Sequence, residues 1–289
     1  MIPGKFDYYR PGSVDEALAL LDAHADDGKI LAGGHSLVPM MKLRFAEPAH
    51  LIDINAIAEI KGVRADGGDI VIGAATTQAE ALADGTLTGS CPIIAEAIAA
   101  IADPQVRNCG TLGGNVANGD PGNDLPAVML ALGANYVLRS SAGERTVAAA
   151  DFYHGTYDTA LGETELLTEI RIPTPAAGHG WSYHKMKRKV GDFAIAAAAV
   201  VLTMDGGTCA TAAVALTNVA PAPLLATDAA AALIGNAVDE SAATAAAAQA
   251  MAAADPVDDL RGPVAFRKQM AAEMTRRAVL DAAGRAGGG

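Results

Sequence analysis

Two glycine turns, far apart in the chain, constrain its fold more than any other feature. Ile30-Leu31 runs into Ala32-Gly33-Gly34-His35-Ser36, and a second paired-glycine turn stands at Thr111-Leu112-Gly113-Gly114-Asn115. Paired glycines let a backbone take φ > 0 and approach a ligand closely. Successive N–H groups in such turns make a concave anion site. The stretch Leu37–Arg44 has helical spacing, and a helix N-terminus there would add its positive dipole end. One Gly-Gly turn alone is most often an ordinary loop. Two of them predict a fold that holds one diphosphate from two sides. No Gly-Lys-Ser/Thr follows either turn and G-x-G-x-x-G is absent, which excludes a Walker A loop and an NAD-type Rossmann fingerprint.

The 289 residues suffice for two or three compact units, and 51% hydrophobic against 19% charged residues is a globular balance. No run reaches the roughly 18 apolar residues of a membrane helix, and Phe193–Met204 reads as a buried strand. The N-terminus lacks an apolar signal core, which predicts a cytoplasmic protein. A net charge of −12 disfavours nucleic acid and anionic membrane as partners. Cys91, Cys109 and Cys209 are isolated, which excludes a four-cysteine iron–sulfur site and a disulfide framework. The six histidines are scattered, none paired at zinc spacing, so each reads as structural or surface and no metal site is expected. Redox chemistry on this chain therefore requires an organic cofactor.

Val14–Leu21 predicts an amphipathic helix capped by Ser13. Strands at Ile30-Leu31 and Leu51–Ile54 flank the first turn, and this small unit ends near residue 56. A second unit opens with the strand Asp69–Ala74 and continues through helices at Thr77–Ala83 and Pro92–Ala100. A long loop rich in Gly, Asn, Asp and Pro follows, Ile101–Pro126; ordered loops of that length are usually functional. Next come a helix at Leu125–Leu132 and strands at Asn135–Arg139, Arg145–Ala148 and Glu165–Ile172. The linker composition of residues 173–180 places a boundary between domains 1–177 and 178–289. Beyond it, Trp181–Lys187, Ala194–Met204 and Cys209–Leu216 predict an antiparallel sheet with Asp205-Gly206-Gly207 as a hairpin turn, ended by Pro221 and Pro223. Helices at Asp228–Ile234, Ala242–Ala253 and Pro263–Ala283 complete the chain, with Gly284 as a stop and 285–289 as a disordered tail. The class is α+β: two α/β subdomains split near residue 56, then an antiparallel sheet with packed helices.

Together with Ala32–Leu37, the stretch Ile101–Pro126 resembles the FAD-binding medium subunit of the molybdenum hydroxylases, the family of xanthine dehydrogenase and aerobic carbon monoxide dehydrogenase. The resemblance runs from Met1 almost to the C-terminus. Met1-Ile2-Pro3-Gly4, His35, Asn118–Asp124, Lys187–Phe193 and Leu216–Ala220 are closest to the carbon monoxide dehydrogenase branch. It implies non-covalent FAD. Backbone N–H groups around Gly33, Gly34, His35, Ser36, Thr111, Gly113 and Gly114 then bind its diphosphate, and the Ser36 and Thr111 hydroxyls donate to phosphate oxygens. Asn115 and Asp124 bind ribityl or ribose hydroxyls, although Asp124 reads equally well as a helix cap. The resemblance adds Ala32, Leu37 and Ala117 as lining residues and Ile101, Val106, Leu161 and Leu167 as apolar contacts, for which a plain core role stays open.

The cluster Lys185-Met186-Lys187-Arg188-Lys189 reads either as a solvated basic turn or as the source of one cation, Lys185, at the flavin pyrimidine end. Phe193 reads either as a face stacked on the isoalloxazine or as core. No nucleophile or general acid is needed. The family's electrons pass from iron–sulfur clusters of a small partner subunit through FAD to an external acceptor, a quinone in this branch. Substrate is oxidised at the molybdenum cofactor of a large subunit, in a dimer of heterotrimers that meets the membrane's inner face only through its acceptor. The same subunit in an N-heterocycle or aldehyde dehydrogenase, a flavin-free scaffold and a self-contained flavin oxidase are the competing readings.

Overall fold

In the computed structural model, which describes residues 2–286, three larger sheets follow one another along the chain. The first unit holds β1 (Asp7–Tyr9), α1 (Val14–Ala23), β2 (Gly28–Leu31), α2 (Leu37–Leu43) and β3 (His50–Asp53). Its three strands are parallel, in the order β1–β3–β2. Ser13 caps α1 as expected: its Oγ accepts the Glu16 N–H at 3.2 Å. The apolar stripe Val14, Ala17, Leu18 and Leu21 packs with Ile52, Ile54 and Ile57. The C-terminal end of β2 thus delivers Ala32–Ser36 to the end of a parallel sheet, the usual ligand side of such sheets.

The second unit comprises β4 (Val63–Asp66), β5 (Asp69–Gly73), α3 (Gln78–Ala83), α4 (Gly85–Ser90), α5 (Pro92–Ala100), α6 (Pro104–Cys109), α7 (Leu112–Ala117), α8 (Asp124–Ala131), β6 (Asn135–Ser140), β7 (Gly143–Ala148), β8 (Tyr153–Gly155), β9 (Asp158–Thr159) and β10 (Leu166–Pro173). Five of these strands form an antiparallel sheet in the order β4–β5–β10–β6–β7, while β8 and β9 pair separately. The third unit places β11 (Gly180–Met186), β12 (Ala196–Asp205), β13 (Thr208–Thr217) and β14 (Leu224–Leu225) in one antiparallel sheet. Against it lie α9 (Thr227–Ala231), α10 (Glu240–Ala253) and α11 (Val264–Arg285).

Every residue of α8 is buried, Asp124 included. The helix sits between the second and third sheets, and strand alternation explains how. Ala197 and Ala199 of β12 join the core around α8, while Ala196, Ala198 and Val200 join the core around α10 and α11. Small side chains on both faces let helices approach closely from either side. The alanine-rich run at Phe193–Met204 is accordingly a buried strand over most of its length. Among the described residues no helix is long and apolar enough to cross a membrane.

Several sequence expectations need correction. The stretch Ile101–Pro126 is not one long loop: Asp103 and Thr111 each cap a six-residue helix within it, α6 and α7. The prolines at 221 and 223 do not end the third sheet, which gains β14 beyond them. Gly284 does not stop the last helix, which runs to Arg285, where the guanidinium bonds to Glu96 and to the Trp181 carbonyl. The short strands β1, β4, β8 and β9 were missed because runs of two to four residues carry no measurable periodicity. The glycines 287–289 of the expected tail lie outside the described residues.

Gly180 shows how tightly the last helix is docked. A Cβ there would collide with the Ala282 carbonyl of α11. Gly180→Ala should therefore cost about 1–3 kcal/mol through overpacking. Thermal unfolding beside Gly85→Ala, where a Cβ meets nothing within 4 Å, checks it.

Candidate functional site

The two glycine turns meet. A Cβ on Gly33 would lie 2.5 Å from the Cys109 carbonyl oxygen and 2.6 Å from Gly110 Cα, so any side chain there would force them apart. A Cβ on Gly113 would lie 2.5 Å from Ala74 Cβ. Only Gly34 takes the left-handed conformation, at φ 71°. The expectation that the paired glycines serve positive φ therefore holds for Gly34 alone, and Gly33 and Gly113 are required by close approach.

Around this junction opens a cleft of about 740 Å³. Every site residue named from the sequence lines it, from Ala32–Leu37 through Ile101, Val106, Thr111, Gly113, Gly114, Asn115, Ala117, Asp124, Leu161 and Leu167 to Lys185 and Phe193. All three units contribute to it.

The donor assignment changes in the structure. The Gly113 N–H donates to the Ala74 carbonyl at 2.9 Å and the Gly114 N–H to Thr111 Oγ1 at 3.0 Å. These two groups are committed to the fold, so of the expected donors in the second turn only the Thr111 N–H has no protein acceptor among the described residues, and the two glycines offer close backbone approach. Among the described residues, the N–H groups of Gly33, Gly34, His35 and Ser36 have no protein acceptor. The first turn therefore presents four successive free N–H groups, the arrangement an anion cradle needs. Ser36 is already helical (φ −98°, ψ −53°) and makes no capping bond, leaving its hydroxyl free.

Orphaned polar atoms mark the cleft as a ligand site. Asn115 Oδ1, Asn118 Nδ2 and Gln78 Oε1 are buried without a partner, and all three residues line it. Leaving such groups unpaired costs roughly 1–3 kcal/mol each. Asn118 and Gln78 were not named as site residues from sequence. Asn118 stood within a quoted motif, but only the fold places it on the cleft wall with its amide nitrogen buried and unpaired.

Asp124 is not a helix cap. It is the first residue of α8, after Asn123, and its carboxylate receives the Tyr183 O–H and Lys185 Nζ, the latter at 2.7 Å. Burial pushes the Asp124 carboxyl above its ordinary range, with the Lys185 cation and the hydrogen bonds opposing. Burial and the adjacent carboxylate hold Tyr183 far above the ordinary phenol range, so it stays a donor. Lys185 is not the solvated cation of a basic turn: its side chain is 4% exposed, and it also reaches the Ala100 carbonyl at the end of α5. Arg188 and Lys189 are exposed, as a solvated turn requires. Phe193 is not core. It is 43% exposed, at the cleft wall, with the Arg261 guanidinium 5.5 Å from its ring centre.

The residues thus suit a long, partly apolar anionic ligand: free N–H groups at one turn, unpartnered amides beside it, and a flat aromatic with a buried ion pair elsewhere on the wall. Comparison with known proteins identifies the ligand. Residues 4–175 match the FAD binding domain in molybdopterin dehydrogenase, and 181–282 match the CO dehydrogenase flavoprotein C-terminal domain. The chain belongs to this flavoprotein family. It is 54% identical to the carbon monoxide dehydrogenase medium chain of Afipia carboxidovorans over 286 residues, covering 99% of both chains. It is 49% identical to the medium chain of Hydrogenophaga pseudoflava, covering 96% of this chain and 97% of that one. A crystal structure of Cu,Mo-CO dehydrogenase superposes with a TM-score of 0.97 at 54% identity, covering 99% of this chain and 100% of that one. FAD is therefore the cofactor of this flavoprotein.

Gly33→Val should abolish FAD binding, because the side chain separates the turns; the exposed change Lys61→Ala should leave it intact. Flavin absorbance after gel filtration reads the result. Lys185→Met should destabilise the fold by about 3–5 kcal/mol, because it leaves Asp124 buried without its cation. The double variant Lys185→Met/Asp124→Asn should recover most of that loss in denaturant unfolding.

Proposed function

We propose that this chain is the FAD-carrying electron-transfer subunit of a molybdenum-containing carbon monoxide dehydrogenase. The observation that carries the reading is the single cleft in which unpaired N–H groups and orphaned amides converge, in a chain about half identical to two carbon monoxide dehydrogenase medium chains. In this reading the N–H groups of Gly33–Ser36 bind the diphosphate. Gly113, Gly114 and Ala117 form the wall that lets it approach, while Asn115 and Asn118 bind sugar or ribityl hydroxyls. The Asp124–Lys185 pair borders the pyrimidine end and Phe193 stacks on the ring. Ala32, Leu37, Ile101, Val106, Leu161 and Leu167 supply apolar wall. Residues 1–177 form the FAD-binding domain and 178–289 the domain that closes it.

Bound FAD supplies an electron store that exchanges with both one- and two-electron partners. The chain's own residues hold and bury it; none is required as nucleophile or general acid. Among the described residues no group of three metal-ligating side chains includes a cysteine, and burial pushes the Cys91 thiol up to about 12. In this reading the electrons arrive from outside the chain. We assign them to the iron–sulfur clusters of a small partner subunit, fed by a molybdenum large subunit in a dimer of heterotrimers. A quinone at the inner face of the membrane is the proposed acceptor, and the cytoplasm the compartment.

The test is purification with the natural partners. The complex should hold about one acid-releasable FAD per copy of this chain. Carbon monoxide should reduce an external dye only when all three subunits are present. Dye reduction by the flavin-loaded chain alone, or an FMN or covalent flavin, would overturn the assignment.

A further inference from the structure

Beside the first sheet, away from the cleft lining, the fold assembles three groups that the sequence keeps apart. His24 caps the C-terminal end of α1, Asp27 lies in the turn before β2, and His50 opens β3. The parallel register explains the meeting: His50 pairs with Gly28 of β2 on one side and with Asp7 of β1 on the other. All three strands therefore start in one row, at the end opposite Ala32–Ser36. Each of His24, Asp27 and His50 offers a ligand atom, and these atoms lie within 4.8 Å of one another.

We propose that His24, Asp27 and His50 form a binding site for a single divalent cation of the zinc type. Two imidazoles and one carboxylate, with a water as fourth ligand, are a donor set that zinc accepts. The orientation of His50 supports the assignment. Its Nε2 faces Asp27 Oδ1 at 3.8 Å, while its Nδ1 is held by the Tyr9 hydroxyl at 3.2 Å and lies 3.9 Å from Asp7 Oδ2. Metal-bound histidines are held this way, one nitrogen on the ion and the other on a hydroxyl or carboxylate that fixes the ring. Binding requires a local rearrangement of side chains. A tetrahedral ion with bonds of about 2.0–2.2 Å needs its ligand atoms roughly 3.3 Å apart. The His24 and His50 rings stack with centroids 3.7 Å apart and planes 19° from parallel. Stacked rings do not aim their in-plane lone pairs at one point, so binding requires the His24 ring to turn out of the stack about its Cβ–Cγ bond while Tyr9 keeps His50 in place and the half-exposed Asp27 carboxylate swings in. The ion would tie the end of α1 to the starts of β2 and β3. It would stiffen the strand that carries the first glycine turn without touching the flavin.

The full chain, stripped with chelator, is titrated with Zn²⁺ by calorimetry at pH 7.5 and with Co²⁺ by visible spectroscopy. One equivalent per chain should bind with micromolar or tighter affinity. Co²⁺ should give the visible bands of a four-coordinate nitrogen–oxygen site, and the melting temperature should rise with Zn²⁺. His24→Gln, His50→Gln and Asp27→Asn should each weaken Zn²⁺ binding at least tenfold with unchanged far-ultraviolet circular dichroism. Tyr9→Phe should weaken it about tenfold. Asp27→Asn, at an exposed turn, keeps the test decisive if a histidine variant fails to fold. Absence of saturable uptake, or uptake that any folded ligand variant leaves within tenfold of wild type, would show that the rings are packing only and overturn the site.

Discussion

The structure depends on a helix buried on every side. Helix α8 lies between two sheets that belong to different parts of the chain, and its N-terminus carries a buried carboxylate. Such a group is tolerable only when paired. Asp124 finds the Tyr183 hydroxyl and the Lys185 ammonium on β11, two residues apart and so on one face of that strand. The helix N-terminus adds its positive dipole end to the same carboxylate. One polar clamp thus joins the second unit to the third and forms part of the cleft wall. The ion pair is neutral overall, so Lys185 presents the cleft with a fixed dipole more than a free charge.

The glycine turns work by different means although they look alike in sequence. The first keeps its N–H groups unspent and bends through positive φ at Gly34. The second has spent the N–H groups of Gly113 and Gly114 on Ala74 and Thr111, and these glycines contribute absence of bulk. The proposed diphosphate site draws on both: donors from one side, and a wall on the other that lets a ligand approach. The cleft is consequently a property of the contact between two units, and neither turn alone makes it.

Much of this was legible in the chain itself. Ser13 before the apolar stripe of α1, Asp205-Gly206-Gly207 between β12 and β13, and the turn glycines are local signals with local causes, and each falls where the sequence places it. The apolar lining of the cleft was legible only through family resemblance, since Ile101 or Leu167 reads as plain core by hydrophobicity. Short elements were lost because two to four residues cannot show a period. Gly284 was misjudged because α11 is held past its glycine by packing against β11 and by Arg285, which outweighs a glycine's weak propensity to end a helix.

By itself the sequence determined the α+β class, the two turns, the scarcity of cysteine that forces an organic redox cofactor, and the membership of a flavoprotein family. Only the tertiary structure decided which N–H groups stay free, that Asp124 pairs with Lys185 and does not cap its helix, and that Phe193 lines the wall of the cleft. It also decided that His24 and His50, without any spacing that suggests a pair, stack at one end of a parallel sheet. The physical reason is common to all of these. Hydrogen-bond partners, burial and strand register are set by residues distant in the chain, and a linear pattern records only what each residue requires of its neighbours.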